Sequence, residues 1–89
     1  MSNPDKPLLE FPCRFPIKAM GKADPDFEML VLDIVRAHVF NLSAADVKRN
    51  QSAQSNYLSV TIEIEAQSQE QIDNIYRCLT AEPRILMAL

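Results

Sequence analysis

The stretch Tyr57–Ala66 alternates without a break. Leu58, Val60, Ile62, Ile64 and Ala66 fall on one side, and Tyr57, Ser59, Thr61, Glu63 and Glu65 on the other. A period of two belongs to a strand, because successive side chains leave a pleated backbone on opposite faces. This segment therefore forms a strand with one dry face and one wet face, and the dry face needs a roof. The chain has 89 residues. A protein of that size buries only roughly 60 to 65% of its unfolded surface, so sheet and roof share one core.

Two segments at helical spacing supply the roof. Asp24 followed by Pro25 is a start signal, since Asp accepts free backbone N–H groups at a cap and Pro loses nothing at the first helical position. The helix that follows runs to about Phe40, with Phe27, Leu30, Val31, Ile34, Val35 and His38 on one stripe and Leu32 and Val39 widening it. Ser68 and Gln71 form a capping box for a second helix, whose apolar face is Ile72, Ile75, Tyr76 and Leu79, and Pro83 lies just past its end.

Three further strands complete the pattern. From Arg14 to Gly21, Phe15, Ile17 and Ala19 alternate with Pro16, Lys18 and Met20, with Pro16 tolerated near the strand's beginning. Gly21, the single glycine, reads as a chain reversal that needs an unusual backbone angle, with close approach to a ligand as the rarer alternative. Asn41 to Ala45 is a connection, Asp46 to Asn50 a short edge strand anchored by Val47, and Gln51 to Asn56 a hairpin loop. Arg84 to Leu89 is a strand apolar on both faces, so its outer side, Leu86 and Ala88, calls for cover from the N-terminal arm or another subunit. That arm, residues 1–13, holds Pro4, Pro7 and Pro12 and is expected to be extended or partly disordered; its Leu8, Leu9 and Phe11 are costly to leave in water.

The order strand, helix, strand, strand, helix, strand packs most economically as an α+β ferredoxin-like βαββαβ sandwich. Its four-stranded antiparallel sheet carries both helices on one face, with strands one and three at the centre. Residues 14–89 form this one domain.

Composition narrows the function. Apolar residues are 47% and charged residues 24%, with no run near the ~20 apolar residues that span a bilayer. The N-terminal segment MSNPDKPLLEF lacks the apolar run of a secretory signal, so the expected location is the cytoplasm, without membrane partners. A net charge of −3 argues against nucleic acid, whose affinity comes from Lys and Arg displacing counterions. An RNA-recognition motif shares the element order, but its third strand carries base-stacking aromatics where this one offers Tyr57 and then two carboxylates. Cys13 and Cys78, 65 positions apart, make neither a disulfide framework nor a clustered metal motif.

Catalytic groups are scarce. His38 is the single histidine and sits on the core stripe with no triad pattern, so it reads as a packed or capping residue. Glu63 and Glu65 lie about 6.5 to 7 Å apart on one strand face, a spacing that admits a hydrolase-type carboxylate pair but is also what a solvated sheet face shows. Arg14, Lys18 and Lys22 cluster around the first strand, either as an anion site or as solubilising charge. These residues favour a module that binds over an enzyme, and call for no cofactor or metal.

LLEFPCRFPIKAMG at 8–21, NYLSVTIEIEA at 56–66 and the closing ILMAL together resemble the YbeD-like family of small uncharacterised bacterial proteins. The resemblance spans nearly the whole chain. It implies a ferredoxin-like fold similar to ACT regulatory domains, which are found attached to amino-acid biosynthetic enzymes, and implies no established activity. ACT domains hold a small effector where the first strand, its glycine turn and the first helix meet a neighbouring subunit, which places a ligand at Met20, Gly21 and Lys22. The resulting expectation is a stand-alone ACT-like regulatory or protein-interaction module whose partner is protein, self or heterologous. The alternative is a small-molecule effector sensor.

Overall fold

A computed structural model describes residues 10–40, 42, 46–51 and 56–89. The expected arm at residues 1–9, the connection at 41 and 43–45 and the loop at 52–55 lie outside the described residues. The element order is β1 (Cys13–Lys22), α1 (Phe27–Arg36), β2 (Val47–Gln51), β3 (Tyr57–Ala66), α2 (Gln69–Ala81) and β4 (Ile85–Ala88). All pairings are antiparallel, and the strand order is β2-β3-β1-β4, the ferredoxin-like arrangement with β1 and β3 central.

The alternation in β3 is realised without a slip: Leu58, Val60, Ile62, Ile64 and Ala66 are buried. Directly opposite on β1, Ile17 pairs with Ile62 and Ala19 with Val60, so two adjacent strands line one dry face. Phe27, Val31 and Val35 of α1 and Ile72, Ile75 and Leu79 of α2 close over that face. Leu32 and Val39 pack against the same core and widen it. Truncating a residue such as Ile62 to alanine would cost about 2–5 kcal/mol, the range for buried aliphatic side chains.

The second helix starts as its residues dictate. Ser68 Oγ accepts from the Gln71 N–H at 3.1 Å, the first half of the capping box. The reciprocal half reaches one residue further back, where Gln67 N–H donates to Gln71 Oε1 at 2.6 Å. Gln71 also donates through Nε2 to the His38 carbonyl at 2.7 Å, tying the start of α2 to the end of α1.

The first helix departs from expectation at both ends. Helical backbone begins at Phe27, and neither Asp24 nor Asp26 caps it through its side chain; the Asp24 main-chain oxygen receives the Phe27 N–H instead. Both carboxylates turn to Arg84, whose Nη2 lies 2.6 Å from Asp26 and 3.4 Å from Asp24. A charged donor outcompetes neutral amides for a carboxylate, which removes the expected cap. At the other end the helix stops at Arg36 and tightens, His38 N–H bonding to the Val35 carbonyl and Val39 N–H to that of Arg36.

Gly21 corrects a second expectation. It lies inside β1 with no positive φ, so it reverses nothing. A Cβ placed there would stand 2.5 Å from the Arg84 carbonyl oxygen and 2.5 Å from Phe27 Cε1. Glycine is needed because β4 and the Phe27 ring crowd the strand.

The close approach coincides with a β-bulge. Gly21 pairs with Ile85 but Met20 pairs with Met87, leaving Leu86 unopposed. The extra residue breaks the alternation expected for 84–89. Ile85 is buried, Leu86 and Met87 are both exposed, and Ala88, expected to face outward, packs against the core.

Candidate functional site

The helices cover one face of the sheet and leave the other open, and the strand register sorts the open face into rows. Asn50, Ser59, Met20 and Met87 form one row across all four strands. Lys48, Thr61 and Lys18 form the next, continued by Leu89, which exchanges main-chain hydrogen bonds with Lys18 at 3.1 and 2.8 Å. The Tyr76 hydroxyl donates to the Leu89 main-chain oxygen, and burial pushes that phenol's pKa up.

On the β4 side the open face is apolar. Leu86, Met87 and Leu89 are 59%, 51% and 61% exposed, beside the half-buried Met20. Of the residues expected to form an interaction surface, Leu86 lies in this strip, Ala88 does not, and Phe11 is half-buried against the core. Leu8 and Leu9 lie outside the described residues. Met87 and Leu89 escaped the sequence reading because the bulge that turns them outward depends on contact with Gly21, more than sixty positions away.

On the β2 side the face is polar and concave. A cavity of about 480 Å³ is lined by Lys18, Met20, Asn50, Gln51, Tyr57, Leu58 and Ser59. The three residues expected around an effector meet different surroundings. Met20 lines this cavity and Gly21 is buried. Lys22 lines a separate hollow of about 320 Å³ with Asp24, Pro83, Arg84 and Leu86.

The basic trio of β1 also divides. Arg14 Nη2 lies 2.9 Å from Glu63 and 3.1 Å from Asp46, and these hydrogen bonds raise the guanidinium's already high pKa. Glu63 is thereby engaged as an ion-pair acceptor, while Glu65 lines a hollow with Val39, Phe40, Gln67 and Gln71. Arg49 reaches across to Glu28 of α1 at 3.1 Å. The fold also places Cys78 Sγ 3.4 Å from His38 Nε2, a proximity invisible in sequence because it joins α2 to the turn after α1 across 40 positions. Both cysteines are free thiols. Among the described residues no group of three His, Cys, Asp or Glu side chains is disposed to hold a metal, and no helix is long and apolar enough to cross a membrane.

Residues 6–89 match the family described as a protein of unknown function (DUF493). The chain belongs to this family. Relatives named UPF0250 proteins agree along nearly their whole length. The one from Neisseria meningitidis serogroup C is 43% identical over 82 residues, covering 92% of this chain and 90% of that protein. The one from Paraburkholderia phytofirmans is 40% identical over 89 residues and covers both chains completely. The YbeD-like resemblance carried by segments 8–21, 56–66 and 85–89 thus extends across the DUF493 domain. Among solved structures, the solution structure of protein HP0495 from H. pylori superimposes with a TM-score of 0.73 at 14% identity, covering 100% of this chain and 93% of that one. That likeness shows the fold alone. The DUF493 description assigns no reaction.

Proposed function

We propose that this DUF493 chain is an ACT-like module that regulates or scaffolds by protein contact in the cytoplasm, using the outward face of β4. The observation that carries the reading is the strip Leu86, Met87 and Leu89: three large apolar side chains, each more than half exposed, on the edge strand β4 and the residue that follows it. A contiguous apolar strip of this kind gains stability when another protein surface removes it from water. Methionine and leucine suit such a contact because both adapt to an irregular partner surface. Protein suits the strip better than nucleic acid, since Leu86, Met87 and Leu89 carry no cation to hold a phosphate.

Capture from bacterial extract tests the reading, with immobilised wild type compared against a Leu86→Glu/Met87→Glu double variant. Both positions are exposed, so the variant should keep the wild-type circular dichroism spectrum. At least one protein, a second copy of the chain included, should be retained by wild type and reduced about tenfold or more by the variant, as for a desolvated apolar anchor. Equal capture by both forms, or none by either, would count against the β4 surface.

A further inference from the structure

We propose that the cavity on the β2 side of the open face binds a small organic anion, a carboxylate carried on an apolar or aromatic body. This goes beyond the β4 contact surface, and its evidence is separate. The cavity is lined by side chains of two kinds. Lys18, Asn50 and Ser59 offer an ammonium, an amide and a hydroxyl on the open face, while Met20 and the Tyr57 ring offer apolar surface. A few convergent polar groups above an apolar floor, in about 480 Å³, is the make-up of a small-molecule site.

The sign of the charge follows from Lys18. Among the described residues no acidic side chain lines the cavity. Glu63, the nearest carboxylate along the β3 face, is drawn away by Arg14 at 2.9 Å. Of the three cations on β1, Arg14 is thus neutralised and Lys22 borders a hollow that also holds Asp24, leaving Lys18 to face a cavity that has no counter-charge among the described residues. Row geometry places the hydrogen-bonding groups alongside: Ser59 stands opposite both Met20 and Asn50, and Lys18 opposite the adjacent Thr61. A carboxylate beside Lys18 can accept from the ammonium and from the Ser59 hydroxyl or Asn50 amide. Its apolar body then lies over Met20 and against Tyr57.

The test is an amide chemical-shift titration of the full chain with three probes: phenylacetate, its neutral isostere phenylacetamide, and inorganic phosphate. Phenylacetate should move the amides of Met20, Asn50, Leu58 and Ser59. Phenylacetamide should bind the same place about three- to fivefold more weakly, the scale of one exposed charge interaction. Phosphate, lacking the apolar body, should bind more weakly than phenylacetate. Lys18→Gln should weaken phenylacetate by the same three- to fivefold and flatten its salt dependence, while Arg77→Gln on α2, which covers the other face of the sheet, leaves binding unchanged. The proposal is overturned if phenylacetate moves no amide in the cavity, or moves those around Lys22 and Arg84 instead. Equal binding by Lys18→Gln, or phosphate binding as tightly as phenylacetate, overturns it as well.

Discussion

At Gly21 a hydrogen atom occupies a place where no carbon fits. The Arg84 carbonyl and the Phe27 ring would each stand 2.5 Å from a Cβ there, and Phe27 is itself buried. Neither obstacle is the free end of a flexible side chain, so relief requires moving β4 or the core. Gly21→Ala should therefore destabilise the fold by about 1–3 kcal/mol, the usual cost of overpacking, read as a lower urea midpoint with unchanged slope. Glycine's presence near residue 21 was legible in the sequence as a special position, but its reason was not. Backbone freedom is the commonest explanation of a lone glycine; crowding by a strand sixty positions later leaves no local trace. The pairing of Cys78 with His38 was hidden for the same reason.

Among the elements, those specified by neighbours in sequence were readable and those specified by distant charges were not. The strand 57–66 needed only its own alternation, and α2 only Ser68 and Gln71. The start of α1 has no local signature, because Arg84, across the fold, claims the carboxylates that would otherwise cap it. Of the candidate site, Lys18 and Met20 could be singled out as strand residues, whereas their union with Asn50, Tyr57 and Ser59 depends on register across three strands. The Arg84 contact has a pH signature. Its hydrogen bond holds the Asp26 carboxyl below the usual Asp range. Such a group contributes fully above its unfolded value of about 3.9, and the contribution is lost as pH falls through the depressed native value. Arg84→Gln should accordingly lower the urea midpoint near neutral pH. The gap between variant and wild type should close as the pH is taken below about 3.9.

Over the whole molecule, stability is concentrated in the central strands. β1 and β3 pair along ten residues each and carry buried side chains that the helices cover, whereas β2 has five residues, four of them exposed. Native-state hydrogen exchange should find the amides of Ile17, Ala19, Val60 and Ile62 slowest and those of Lys48–Asn50 faster by on the order of a hundredfold, since edge segments open locally. Uniform protection across all four strands would contradict this division. The sheet also has an uneven rim. β4 pairs with β1 from Ala19 to Gly21, and Leu89 adds a bond to Lys18, so β1 before that point has no neighbour on that flank among the described residues. Main-chain groups alternate sides along a strand, so Pro16 directs its nitrogen to the same flank as Lys18. With no hydrogen on that nitrogen, a foreign strand laid beside residues 13–17 finds its hydrogen-bond ladder interrupted. One proline thus makes this open stretch of β1 a poor template for extending the sheet.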